Sequence, residues 1–218
     1  MDIIKEKYEI NEIGSDSYGR IYNIKDKKVK SEYILKELTK INEQSLKETN
    51  EIDYETEINF LKNVKGKNIL NIIDYYENDK DNFYYIILEK MDGDLEKLVQ
   101  ENYKNGMSSN LIRKIFSQIN SGLKDILKEG NGHRNLKPSN IFYSYINEKK
   151  TSFIIKLGYF GLSNDLKSNE YESNAVTKSF KAPEVDEGKF SNKCDLYSIG
   201  IILYYLKTGE YIFDGKKN

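Results

Sequence analysis

Apolar and polar residues alternate over residues 8–39, interrupted by turn-forming runs at 14–19 and near 26–28. A period of two is the mark of half-buried strands, so this stretch predicts three antiparallel strands. Between 51 and 64 the period changes. Tyr54, Ile58, Leu61 and Val64 fall three and four apart, which puts them on one face of a helix. Two further strands are predicted near 69–76 and 83–88. Beyond Gly93 the pattern turns mainly helical. Residues 109–128 place Ile112, Ile115, Phe116, Ile119, Leu123, Ile126 and Leu127 on one face of an amphipathic helix. Residues 195–206 are apolar nearly all round, which predicts a helix buried inside a lobe. Strands first and helices second predict an α+β chain of two lobes, residues 1–90 and 91–218, together forming one domain.

Composition narrows this little. The chain has 218 residues, with 34 basic and 35 acidic side chains and a net charge of -1. That balance supplies no electrostatic reason to expect nucleic acid or an anionic membrane as partner. The single cysteine, Cys194, cannot build a disulfide framework and fits a reducing compartment. Residues 1–10 are charged and lack the apolar run of a signal peptide. The longest apolar stretch, 199–206, is far below the roughly 20 residues of a membrane span. The expectation is a soluble cytoplasmic protein, with the nucleus also open to it. Histidine and proline are rare: His133, Pro138 and Pro183 are all there is, and all three fall in motifs.

Gly14 and Gly19 bracket a short run that contains Asp16 and is followed by Ile21. Glycines allow a backbone to pass close to a bound group. Tyr33, Ile34, Leu35 and Lys36 follow, then Glu57 on the predicted helix, then Leu88, Glu89, Lys90 and Met91 at the end of the last early strand. The most specific run is His133, Arg134, Asn135, Leu136, Lys137, Pro138, Ser139 and Asn140, with Phe142 close behind. Tyr159, Phe160 and Gly161 come next, then Ala182, Pro183 and Glu184, and then Cys194 to Gly200 with Asp195 second in line.

The order and spacing of these runs, from about Tyr8 to the C-terminus, resembles the eukaryotic Ser/Thr protein kinase family. The resemblance implies a two-lobed protein-kinase-like fold, a small β-rich N-lobe before a larger helical C-lobe. It also implies that the chain stops before the last helices of that C-lobe. Gly14, Gly19 and Ile21 would lie over a nucleotide, Lys36 would hold its phosphates, and Glu57 would pair with Lys36. Glu89 and Met91 would form the hinge, and Ile34 and Phe142 would sandwich the adenine. Asp195 would anchor the backbone of the catalytic loop. Glu184 would ask for an arginine, yet none of Arg20, Arg113 and Arg134 is placed for that role.

Two departures change the functional reading. Asn135 stands where the family has the aspartate that accepts the substrate hydroxyl proton, and an amide cannot accept that proton near neutral pH. Tyr159 stands where the family has its main magnesium-binding aspartate, leaving Asn140 as the matching metal ligand. Lys137, which the family sets against the transferring phosphoryl group, remains. Asp16 replaces a glycine and adds negative charge beside the phosphates. Ile34 and Phe142 are both larger than usual for their positions. The expectation is a pseudokinase acting as a binding, scaffold or regulatory module in signalling. ATP is expected to bind weakly and Mg not tightly, and the partner is expected to be a protein such as an active kinase or its substrate. The alternative is a weakly active Ser/Thr kinase that transfers phosphate from ATP to protein hydroxyls. A third possibility is a fragment that folds poorly alone.

Overall fold

A computed structural model of the chain describes residues 1–16, 19–39, 58–59, 62–78, 82–130, 132–158, 179–186 and 191–212. The chain divides into two compact units, Met1–Lys62 with Leu70–Lys90, and Asn63–Ile69 with Met91–Asn218. The first unit is built on a β-sheet and the second is mainly helical, an α+β arrangement.

The first unit holds a five-stranded antiparallel sheet. Its strands are β1 (Tyr8–Asp16), β2 (Gly19–Asp26), β3 (Glu32–Thr39), β4 (Ile72–Asn78) and β5 (Phe83–Glu89), in the order β1-β2-β3-β5-β4. The alternation in the sequence fixes which side chains share a face. One face presents Tyr22, Ile24, Leu35, Tyr85 and Ile87, all buried. What covers that face is a short helix, α1 (Asp2–Lys7), whose Ile4 is 1% exposed and joins the same cluster with Tyr8. Residues 1–10 read as a charged terminus in sequence because a helix of six residues is too short to display a period. The β2–β3 turn is set by Asp26, whose carboxylate accepts the backbone N–H groups of Lys28 at 2.7 Å and Val29 at 3.0 Å.

Of the helix expected over 51–64, residues 58–59 and 62–64 are described: 58–59 and 62–63 are helical, and Val64, buried as expected, lies just past the helical residues. Leu61 lies outside the described residues.

The second unit contains α2 (Leu95–Asn102), α3 (Ser109–Lys128), α4 (Pro183–Asp186) and α5 (Cys194–Thr208). Asp94 caps α2 by accepting the Lys97 N–H at 2.9 Å, and Ser108 caps α3 by accepting the Leu111 N–H at 3.3 Å. Gly209 ends α5 at φ 78, a left-handed cap that favours glycine. A second sheet of three antiparallel strands, β6 (Gly93–Asp94), β7 (Ile141–Tyr145) and β8 (Phe153–Leu157), was not expected from the sequence. Its strands are two to five residues long, too short to interrupt a helical pattern visibly. Helix α3 packs on β8: the Gln118 side chain accepts the Ile155 N–H at 2.9 Å, and a Cβ on Gly122 would sit 2.9 Å from Leu157.

Helix α5 corrects one expectation. It is apolar nearly all round but is not buried all round. Ile199, Ile202, Tyr205 and Leu206 are buried, whereas Leu196 is 65% exposed. Likewise Phe116 and Leu127, on the predicted apolar face of α3, are largely exposed. Among the described residues no helix is long and apolar enough to cross a membrane.

Candidate functional site

In the first unit, register settles which candidate residues share a sheet face. Ile21 pairs with Lys36, and Lys36 with Ile86. Two residues along, Ile34 pairs with Asn23 and with Leu88. Cross-strand partners point the same way, so Ile21, Ile34 and Lys36 lie together on the face opposite the α1-covered core. Lys36 is 4% exposed, unusual for a lysine.

Gly14 and Gly19 differ in kind. A Cβ at Gly14 would meet nothing within 4 Å. A Cβ at Gly19 would fall 1.8 Å from the Glu37 carbonyl oxygen, so β2 can lie against β3 there only without a side chain. This need comes from the sheet itself, independent of any ligand. Asp16 ends β1 opposite Gly19. Glu89 is half-buried and its carboxylate accepts the Asn71 N–H at 2.6 Å, while its own N–H donates to the Asn71 carbonyl at 3.1 Å. Its side chain is thus spent on fixing the β4–β5 end of the sheet. Met91 is half-buried. Glu57 lies outside the described residues.

In the second unit, residues 132–140 form a loop whose conformation is held by its own polar groups. The Asp195 carboxylate, near the start of α5, accepts the backbone N–H groups of His133 at 2.8 Å and Arg134 at 2.7 Å. Burial pushes the Asp195 carboxyl up from its ordinary range, and these two N–H groups pull it back. Arg134 takes a left-handed backbone, φ 60, a conformation that non-glycine residues adopt when their surroundings enforce it. His133 is fully buried, and burial pushes its imidazole down to about 4, so the ring is neutral at physiological pH. Its Nδ1 accepts the Asn135 N–H at 3.3 Å. The Asn135 carbonyl in turn accepts the Asn140 Nδ2 at 2.8 Å, and the Asn140 carbonyl accepts the Gly158 N–H at 3.1 Å.

These bonds leave Asn135 half-buried with its backbone fixed, Lys137 half-buried at the start of the 3-10 turn Pro138–Asn140, and Asn140 buried. Phe142 is half-buried on β7, paired with Asp94 and Lys156. Tyr159, Phe160 and Gly161 lie outside the described residues. The Cys194 thiol lies 3.6 Å from the Glu184 Oε1.

Of the two positions expected from the sequence as metal ligands, one is Asn140, whose Nδ2 donates to the Asn135 carbonyl, so that Oδ1 is the atom of this amide that a cation would meet. The other is a phenol, Tyr159. Magnesium wants hard oxygen, usually at least one carboxylate. Lys36, on the sheet face with Ile21 and Ile34, is a fitting phosphate partner by charge.

The sequence could not reveal the polar ties that place the loop's neighbours. Asn68 donates from Nδ2 to the Ile155 carbonyl at 2.7 Å, and its own carbonyl accepts the Leu157 N–H at 2.9 Å. These fasten residues 68–69 to β8, the strand leading to Tyr159. In sequence Asn68 and Gln118 are ordinary polar residues with no signal of burial.

Comparison with known proteins gives one consistent answer. The family model described as a protein kinase domain matches residues 8–218. The chain is 32% identical over 207 residues to the probable serine/threonine-protein kinase fhkB of Dictyostelium discoideum, a match covering 92% of this chain and 17% of that protein. It is 30% identical to the probable cyclin-dependent kinase 8 of the same organism, covering 98% of this chain and 58% of that one. It is 29% identical to calcium-dependent protein kinase 4 of Plasmodium berghei, covering 98% and 39%. The chain therefore spans between about a sixth and three fifths of the length of these relatives.

Proposed function

Since this chain belongs to the protein kinase domain family, we propose that it is a pseudokinase, a kinase-fold module that binds or regulates a protein partner and transfers phosphate poorly or not at all. The observation that carries this reading is Asn135. Its backbone is bonded on both sides, to His133 and to Asn140, as part of a loop anchored by Asp195. A built loop thus presents an amide where the reaction needs a base. A positioned general base typically contributes about 10²- to 10⁴-fold, and a carboxamide supplies none of it.

The roles follow the matched positions. Residues 1–90 serve as the N-lobe and 91–218 as the C-lobe. Gly14, Gly19, Ile21, Ile34, Lys36, Glu57, Glu89, Met91 and Phe142 are the nucleotide-side residues. Lys137 faces the transferring group, Asn140 and Tyr159 stand at the metal positions, and Asn135 stands at the base. ATP with Mg supplies the phosphoryl group in this family in general. Here Asp16 adds negative charge at the phosphate side, and bulk at Ile34 and Phe142 opposes a purine, so nucleotide affinity is weak and depends little on magnesium. The module acts inside the cell.

A weakly active Ser/Thr kinase is the second reading. It is favoured by the retention of Lys36, Lys137 and Asn140 and by the names of the relatives, which are kinases. Thermal-shift titration with ATP, with and without magnesium, alongside an autophosphorylation assay, separates the two. Little or no shift and no incorporation support the pseudokinase. Robust magnesium-dependent autophosphorylation that is lost in Lys36→Ala rejects it.

A further inference from the structure

The sheet edges of this protein are closed unequally. Along β8, Gln118 accepts the Ile155 N–H at 2.9 Å, Asn68 donates to the Ile155 carbonyl at 2.7 Å, and the Asn68 carbonyl accepts the Leu157 N–H at 2.9 Å. Along β4, a bulge between Ile72 and Asp74 breaks the run, and the Asp74 carboxylate accepts the Tyr75 N–H at 2.9 Å. Bulges, charges and covering side chains are how folded proteins keep an edge from recruiting another strand. Strand β1 lies at the other end of the five-stranded sheet and is nine residues long. It contains no proline, lysine or arginine, and residues 11–15 are exposed. Its bulge, between Glu12 and Gly14, leaves residues 8–12 regular.

Alternation fixes where the backbone groups of that stretch point. The Lys27 N–H donates to the Lys7 carbonyl at 3.1 Å. From there, antiparallel pairs alternate between bonded and non-bonded. Glu9 with Lys25 and Asn11 with Asn23 are therefore the bonded pairs, and Tyr8, Ile10 and Glu12 direct their backbone groups away from β2. Asp26, opposite Tyr8, agrees: its N–H donates to the Ser31 carbonyl at 2.9 Å, on the β3 side. The Tyr8 N–H is occupied by the Ile4 carbonyl. For the Tyr8 carbonyl, and for both backbone groups of Ile10 and of Glu12, the described residues supply no partner. Such a row of outward groups is what an added strand bonds.

Side chains set the chemistry of the incoming segment. Glu9 and Glu12 fall on opposite faces of β1, so an added strand meets one acid on each side. The cations that offset them stand on the inner side: Arg20 and Lys25 on β2, and Lys30, 3.6 Å from Glu9, in the turn after β2. An added strand lies about 4.8 Å from β1 and about twice that from β2, which is beyond the roughly 8 Å over which exposed charges act in physiological salt. It therefore meets the acids first. Ile10, half-buried against the cluster under α1, favours an apolar residue beside it. We propose that the open edge of β1 takes up an extended basic segment of a partner protein as an additional strand, with Lys or Arg beside Glu9 and Glu12 and an apolar residue beside Ile10. A second copy of the chain is a poor occupant, because the only charged side chains of its β1 are acids. Residues 8–12 include none of the nucleotide-side residues and neither position 135 nor 159. The test is therefore independent of whether the chain is a pseudokinase.

The probe is a labelled peptide centred on Lys-Thr-Val-Lys and flanked by threonines. One control replaces both lysines with Glu. A second keeps the sequence and carries N-methyl groups on alternate backbone nitrogens, which removes the donors a strand would offer. Fluorescence anisotropy against the 218-residue chain should show the basic peptide binding about tenfold or more tightly than either control, with the gap to the acidic one narrowing as salt is raised. Glu12→Pro removes one outward N–H and no ladder bond, since proline is accepted where an edge N–H faces away from the sheet. It should weaken the basic peptide about tenfold while the melting temperature is not lowered. Where that variant fails to fold, the N-methylated peptide on the unmodified chain decides. Glu9→Lys with Glu12→Lys should reverse the preference between the basic and acidic peptides. No binding of the basic peptide, equal binding of any control, or unchanged affinity in folded Glu12→Pro overturns the proposal. So does a concentration-dependent dimer that Glu12→Pro dissolves, because the occupant is then a second copy of the chain.

Discussion

The Asp195 carboxylate accepts the backbone N–H groups of two consecutive residues, His133 and Arg134, with one oxygen on each. Each bond is charge-assisted and sits where water is largely excluded. Asp195→Asn keeps one acceptor and turns an amide NH2 toward the other N–H, leaving that donor unsatisfied. The expected loss is about 2–4 kcal/mol, combining a lost charged hydrogen bond with an orphaned buried donor. Urea denaturation checks it; a loss within about 0.5 kcal/mol would show that the loop does not depend on this anchor.

His133 gives the fold a dependence on pH. Its ring titrates near 6.5 in the unfolded chain and near 4 in the folded one, because burial opposes the charged form. Below 6.5 the unfolded chain binds a proton that the folded chain refuses. Stability is therefore complete above about pH 6.5, falls as pH drops toward 4, and levels off below that, a loss of up to about 3 kcal/mol from this group. In His133→Phe the slope of unfolding free energy between pH 6.5 and 4 should be shallower than in the unmodified protein, whatever its absolute stability. Parallel slopes would mean the imidazole is not the group responsible.

How much of this was readable in advance depends on the kind of signal. The strands of the first sheet and the 109–128 helix are written in period-two and period-3.6 patterns, and α3 spans the expected residues. The order of Lys36, His133, Asn140 and Asp195 carried the family. Helix α1 and strands β6 to β8 were missed because elements of two to six residues do not complete enough periods to be seen. The exposure of Phe116, Leu127 and Leu196 was missed for another reason. A pattern says which face is apolar and is silent on whether a neighbour covers it. The polar ties of Asn68, Gln118 and Glu89 needed three dimensions, since a buried amide and an exposed one are spelled alike.

Catalysis should be partly recoverable if the departures at positions 135 and 159 are what suppress it. Asn135→Asp with Tyr159→Asp restores a base and a carboxylate ligand. Radiolabel transfer from ATP to a generic protein substrate should rise at least tenfold over the unmodified chain, a modest share of what a base alone contributes, and should vanish again in a triple variant with Lys36→Ala. Each single change should recover less than the pair, since the two groups serve one step. No rise in the double variant, in a protein that remains folded, would place the defect elsewhere.

Nucleotide affinity should respond to side-chain volume at two positions. Ile34 lies on the sheet face with Ile21 and Lys36, and Phe142 lies on β7; each is half-buried. Ile34→Ala with Phe142→Leu removes several carbons from the positions that match the adenine contacts. The double variant should show a larger thermal shift with ATP than the unmodified chain, even if its own melting temperature is lower. Micromolar ATP binding by the unmodified chain would refute the idea that bulk excludes the purine.

Gly19 separates architecture from ligand binding. Gly19→Ala forces a methyl to within 1.8 Å of the Glu37 carbonyl oxygen unless β2 and β3 move apart. Thermal denaturation without any nucleotide should show a clear fall, on the order of 1–3 kcal/mol for an overpacked contact. Gly14→Ala meets open space, but its φ of 157 is a backbone conformation that side-chain-bearing residues rarely adopt, so its cost comes from backbone strain and not from a clash. No loss of stability in Gly19→Ala would mean that β2 and β3 adjust freely.

The short helix at the start of the chain bears on where this protein can be cut. Similarity to the kinase domain begins at residue 8. Yet Ile4, 1% exposed, is part of the cluster that closes one face of the sheet over Tyr22, Ile24, Leu35 and Ile87. Trimming to the first aligned residue removes that lid and bares a patch of strand-borne aliphatic and aromatic side chains, the kind of surface that recruits other chains during expression. Burial of Ile4 alone is worth about 2 kcal/mol. A recombinant version that starts at Tyr8 should therefore be recovered mostly as insoluble aggregate, whereas a tag joined ahead of Met1 through a flexible spacer should leave solubility intact.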